Sequence, residues 1–144
     1  MPELSLEAAQ TILTATLKAG REKSFKPLAV AVYDSRGALR GLLAEDGTSL
    51  KRSQIAMAKA YGALALGVGS RALHKMAIDR PYFVASVSHV VGGELVPVPG
   101  GVLIKDAQGT LLGAVGVSGD TSDNDEIAAA AGIEAAGLVF DSGA

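Results

Sequence analysis

The 144-residue chain contains no cysteine and no tryptophan. The first absence excludes disulfides, zinc ribbons, thiolate nucleophiles and cysteine-ligated iron–sulfur clusters. With three Phe and three Tyr, the chain also lacks the aromatic platforms on which bases stack. Charge of one sign is scarce: 13 Lys and Arg stand against 15 Asp and Glu, a net charge of −2. There is no basic block, so neither nucleic acid nor an anionic membrane surface is an expected partner. No apolar run is long enough to span a bilayer. The opening Met-Pro-Glu-Leu-Ser carries no basic and then apolar leader, so no signal peptide is expected and the cytoplasm is the expected location.

What is present suits one globular domain over residues 1–144. Apolar residues make up 49% of the chain, enough at this length for a real core. Glycine is in excess: 18 residues, where about 10 would follow from ordinary usage. The glycines gather at turns and in one segment, which argues for close backbone approaches and not for low complexity.

Taken in order, Ser5 to about Arg21 reads as a helix capped by Ser5, with Leu6, Ala9, Leu13 and Leu17 on one face. Leu28–Tyr33 reads as a central strand, apolar or small on both faces. Asp34-Ser-Arg-Gly37 is a hairpin turn, and Ala38 to about Glu45 returns. Thr48 or Ser49 is expected to cap an Ala-rich helix from Leu50 to about Leu66. Ser70 is expected to cap a short helix, Arg71–Ile78. Pro81 suits the first turn of the next helix, Tyr82 to about Val91. Three strands are then expected, Leu95–Val98, Val102–Lys105 and Thr110–Val117. A final helix follows within Asp120–Leu138, with two overlapping capping boxes, Ser122 with Asp125 and Asp123 with Glu126.

Residues 30–41 and 102–113 align without gaps: Asp34 on Asp106, Gly37 on Gly109, Leu39 on Leu111 and Gly41 on Gly113. Each copy reads as a hairpin followed by a polar cap and an Ala-rich helix. The expected fold is therefore α+β: a five-stranded, mostly antiparallel sheet flanked by four to five helices.

The stretch from Gly93 to Glu126 is the expected organising feature. Within it, Val98-Pro99-Gly100-Gly101-Val102 sets a rigid residue beside two permissive ones. Residues 113–119 read as a strand with almost no side chain on part of its surface. Such a strand is weak unless a ligand or another backbone must come close. The Gly100 and Gly101 amides suit an anion or enolate oxygen. Arg71 and Arg80 flank a short helix and suit a carboxylate. His74 and His89 are the only histidines and hence the candidate imidazole ligands or bases; two imidazoles do not make a three-ligand zinc site, and no metal site is expected. Lys59, within an apolar helix, is the candidate acid–base amine, and Arg52 is expected on the solvated side. Asp120 and Glu126, from the acidic start of the last helix, are its candidate carboxylate partners. Those acids disfavour a phosphate at that helix start.

Three blocks, Pro97-Val-Pro-Gly-Gly-Val-Leu-Ile104, Gly113-Ala-Val-Gly-Val-Ser-Gly119 and Asp123-x-Asp125-Glu126, resemble the GlcG/HbpS family, which includes the C-terminal domain of PduO-type proteins. Gln54-Ile-Ala56-Met-Ala-Lys59-Ala60, with Ser53 upstream, resembles that family's second helix. The resemblance covers almost the whole chain. It implies a profilin-like or PAS-like layout and homo-oligomers from dimers upward. It also implies haem as a candidate cofactor, since some members bind or degrade haem, while others stand beside enzymes of small-acid and aromatic catabolism. The first helix here carries no His, so no haem ligand carries over to it; His74 or His89 would have to serve. Two functions stay open. One is an oligomeric binding protein for haem or another planar anionic small molecule near the Pro-Gly-Gly turn, with Arg71, Arg80, His89, Pro99, Gly100 and Gly101 as binding residues. The other is a small cofactor-free enzyme, working by proton transfer, tautomerisation or hydrolysis on a carboxylated catabolic intermediate, with Lys59, Asp120 and Glu126 as catalytic residues.

Overall fold

A computed structural model describes residues 3–144. The chain runs α1 (Leu6–Glu22), β1 (Ala29–Asp34), β2 (Leu39–Ala44), α2 (Arg52–Leu66), α3 (Ser70–Asp79), α4 (Pro81–Val90), β3 (Gly101–Lys105), β4 (Leu111–Ser118), α5 (Ser122–Ala135) and β5 (Val139–Asp141). The five strands form one sheet in the order β2-β1-β4-β3-β5, with every neighbouring pair antiparallel. The architecture is α+β, as expected.

Alternation along the strands divides the core into two faces. Val30, Val32, Val102, Ile104, Val115 and Val117 face α1 and α5. Ala29, Ala31, Tyr33, Leu103 and Ala114 face α2, packed with its Ala56, Ala60 and Ala63. Around Ala29, Ala31, Ala114 and Gly116 this side is shallow, and the helix backbone settles onto it. A Cβ on Gly116 would overlap the Ala56 carbonyl oxygen, and one on Gly101 the Lys59 carbonyl oxygen. The bare strand expected to admit a ligand or a backbone thus admits a backbone, that of α2.

The internal similarity holds in three dimensions for the hairpins. Asp34 Oδ1 accepts from the Arg36 and Ala38 amides, and Asp106 Oδ1 from the Gln108 and Thr110 amides. Gly37 and Gly109 take φ of 85° and 82°, the left-handed turn position that favours glycine. Register breaks at Val32/Tyr33 in one hairpin and at Ile104/Lys105 in the other, which are matching positions. The likeness ends there, because α2 and α5 pack on opposite faces of the sheet.

Two strand assignments need correction. Leu95–Val98 is irregular: Pro97 and Pro99 remove ladder donors, and Leu95 is instead buried against Gly62 of α2. The fifth strand is β5, three residues on the outer edge of β3, too short to show a period.

Three caps also differ. Thr48 donates its hydroxyl to Glu45 O, and α2 starts after Lys51 without a side-chain cap. Ser70 lies inside α3, where Gly69 is the N-cap. Thr121 caps α5, accepting from the Asn124 amide at 3.2 Å, so neither expected capping box forms. The acids of those boxes turn to other partners.

Candidate functional site

The Pro-Gly-Gly turn is the crossing point of four elements. Pro99 and Gly100 are buried, and Gly100 has φ of 123°. A Cβ there would lie 2.9 Å from Lys59 Nζ and 2.8 Å from Val117 O, so only glycine fits by backbone and by space. The Gly101 amide donates to Ser70 Oγ at 2.7 Å. That bond ties the start of α3 to β3 and occupies one of the two amides expected to face an anion.

Lys59 projects from α2 beneath this turn. Its ammonium is buried, 2% exposed, and donates to Val117 O and to Asp125 Oδ2, each at 3.0 Å. Asp125, 1% exposed, accepts at its other oxygen from the Asp120 amide at 2.9 Å. Burial pushes the Lys59 ammonium below its ordinary value and the Asp125 carboxyl above its own, while their mutual attraction opposes both shifts. Arg52 is half-buried, not on a solvated side, and its Nη1 donates to Ser118 Oγ at 3.1 Å.

The other acids of the α5 start are distributed one by one. Asp120 does not meet Lys59 through its carboxylate. It accepts from the Lys26 amide at 2.7 Å and from the Thr121 amide and Asn124 Nδ2, bonds that hold its pKa below the usual range. Glu126 and Asp123 both grip Arg71 of α3. Arg71 Nε donates to Glu126 Oε1 at 3.0 Å and Nη2 to Glu126 Oε2 at 3.0 Å, while Nη2 also reaches Asp123 Oδ1. Glu126 first, then Asp123, raises the guanidinium pKa further above its already high value. Adjacent residues of α5 thus point to different places, Asp125 into the core and Glu126 to the surface.

Beside Arg71 lies a cavity of about 490 Å³. It is lined by the cationic Arg71, Lys75 and Arg80, the apolar Ala72 and Met76, one side-chain carboxylate, Asp79, and the C-terminal Gly143 and Ala144. Arg80 also stacks over Phe83, 4.6 Å from the ring centroid. Arg71 and Arg80 therefore line one cavity.

The histidines separate. His74, on α3, places Nδ1 3.2 Å from Pro97 O and does not line the cavity. His89 is exposed on α4, and the structure does not bring it to the other candidates. Sequence reasoning named Asp125 only within the acidic helix start and Ser70 only as a cap, and did not single out Lys75 or Met76. For Asp125 a signal existed: with Ala128, Ala129, Gly132 and Ile133 it falls on the buried face of α5 at helical spacing.

Among curated proteins none matches the chain. Solved structures do. A complex of PduOC with haem superposes with a TM-score of 0.84 at 22% identity, covering 95% of this chain and 97% of that one. HbpS superposes with a TM-score of 0.80 at 26% identity, covering 93% and 90%. The protein ORFY of Klebsiella pneumoniae gives 0.83 at 22%, covering 95% and 93%. A family model described as haem-degrading, HbpS-like proteins matches residues 4–134. The chain belongs to the HbpS-like family.

Proposed function

We propose that this is a cytoplasmic, self-associating protein that binds a planar anionic small molecule, with haem as the first candidate. The observation that carries the reading is the α3 cavity, which Arg71, Lys75 and Arg80 line together with Ala72 and Met76. Cations beside apolar side chains suit a flat molecule with a carboxylate edge. Ser70 holds this helix to the Pro-Gly-Gly turn, so the helix that lines the cavity is tied to a buried part of the fold. The solved PduOC–haem complex supports the choice of haem.

The fit to haem is partial. The cations suit its propionates, but neither imidazole lines the cavity, so within one protomer the residues fit the carboxylate edge and not a histidine-ligated iron. Self-association draws support from the exposed side chains of Ile78, Tyr82 and Val90 on α3 and α4, an apolar surface that a second copy would cover. The acid–base enzyme has the Lys59–Asp125 pair in its favour. Both members are already engaged by protein groups, and binding is the better-supported reading.

Titration with haem and with iron-free protoporphyrin IX tests the proposal. Both are expected to bind at micromolar concentration with similar affinity, and Arg80→Ala to weaken both about tenfold, the equivalent of one charged contact. No Soret change with haem and no fluorescence change with the porphyrin would overturn binding. A monomer by light scattering would overturn self-association.

A further inference from the structure

The family match ends at residue 134, yet the segment beyond it is built into the cavity. Residues 139–141 pair with β3, and Lys105 Nζ holds Asp141 at 2.8 Å. The chain then crosses the start of α3, where the Arg71 amide donates to Ser142 O at 3.2 Å. Asp141 Oδ1 accepts from the Gly143 amide at 3.0 Å, which fixes the bend, and Gly143 and Ala144 form one wall of the cavity.

Gly69 shows how closely this strap is seated. Its φ of −61° and ψ of 150° are open to any L-residue, so the backbone does not require glycine. Space does: a Cβ on Gly69 would overlap the Ser142 carbonyl group and the Gly143 nitrogen. Across the contact, Gly143 has φ of 88° and no room for a side chain, since a Cβ would lie 2.8 Å from the Ala72 nitrogen. Two glycines on opposite sides of one contact keep the strap against α3.

We propose that Gly143 and Ala144, anchored by residues 139–142, are the specificity wall of the α3 cavity, making it a site for compact planar dicarboxylates of single-ring size. This rests on the anion-binding reading above. Arg71, Lys75 and Arg80 supply the positive charges, set against the single lining carboxylate of Asp79, Met76 and Ala72 supply apolar surface, and the strap the limit on length. With the strap seated, a small aromatic dianion lies between the strap and α3, and a porphyrin reaches the cations only with its edge.

Phthalate serves as the compact probe and protoporphyrin IX as the large one. Both are titrated into the full chain, into Gly69→Ala, which forces the strap off without shortening the chain, and into a chain ending at Leu138. Hydrogen exchange at the Arg71 amide reports whether the strap has left. The expected result is faster exchange at Arg71, phthalate weakened about tenfold or more in both variants, and protoporphyrin IX unchanged or tighter. Unchanged exchange in Gly69→Ala would overturn the seating argument. A freed strap with phthalate affinity intact would overturn the wall while leaving anion binding in place. A parent chain that binds neither probe would overturn the anion-binding reading and the wall with it.

Discussion

Asp125 and Glu126 are neighbours in sequence, and each holds a cation, yet the two pairs stand in opposite physical situations. The Lys59–Asp125 side chains are 3% and 1% exposed, whereas those of Arg71 and Glu126 are 36% and 16% exposed. In the first pair every polar contact is supplied by the protein, through Val117 O and the Asp120 amide. In the second, the guanidinium stands at the edge of a cavity and is already charged and oriented. One charge cluster closes the fold and the other leaves a surface that can act. A buried lysine with a perturbed pKa is often read as a functional group. Here its setting marks it as a tie among α2, β4 and α5.

The comparison breaks most visibly if one half of the buried pair is removed. Lys59→Met is expected to cost about 3–5 kcal/mol, because it leaves Asp125 buried without its cation. The loss depends on pH in a defined direction. With Asp125 pushed up by burial, the folded state is favoured below the carboxyl's unfolded value of about 4 and loses that advantage as pH rises through the raised folded value. The variant is therefore expected to be least impaired in mild acid. Adding Asp125→Asn is expected to recover most of the loss, since the amide still accepts from Asp120 and carries no charge. Denaturant unfolding of the four members of the cycle measures this. Additive losses would show that the two groups do not act as a pair.

The next test asks how closed the sealed region is. Gly116→Ala adds one methyl where the Ala56 carbonyl oxygen and Ala60 nitrogen already stand. Overpacking of this kind costs about 1–3 kcal/mol. Lys75→Ala, at the cavity, is expected to change stability by no more than about 0.5 kcal/mol. Equal midpoints for the two variants would mean that α2 can lift from the sheet, and the sealed region would no longer differ from the open one.

The sequence made legible what has a period or a local signature. The five helices, both D-x-x-G hairpins and the buried β1 could be read because apolar spacing and turn glycines declare themselves over a few residues. The bare strand at residues 113–119 was legible as a place of close approach. What approaches it was not, because α2 is more than 40 residues away in the chain and small residues suit a helix backbone as well as a ligand. β5 escaped because three residues carry no period, and Leu95–Val98 misled because it is a short apolar run that two prolines keep out of the ladder. Arg71 and Arg80 could be named from type and flanking context. Their assembly with Lys75 and Met76 follows from helical spacing on α3 together with a C-terminal strap whose position no local pattern reveals. The acids at the α5 start could be seen as a crowd, but their separate partners depend on long-range packing.

A small expected effect on stability is also the one that divides the two regions best. Arg71→Gln removes a cation from an ion pair whose guanidinium is 36% exposed, so solvent screening leaves it worth no more than about 1 kcal/mol. Glu126 and Asp123 remain able to reach water, and no buried charge is stranded. If the cavity binds anions, the same substitution should reduce phthalate or porphyrin affinity several-fold, because a fixed positive charge at its rim is lost. A variant with nearly native unfolding and impaired binding would be the reverse of Lys59→Met, which should fold poorly for reasons unrelated to any ligand. If Arg71→Gln unfolds as readily as Lys59→Met, the surface pair is part of the structural tie. If it folds and binds like the parent chain, the anion is held by Lys75 and Arg80 alone, and the role of Arg71 is to join α3 to α5.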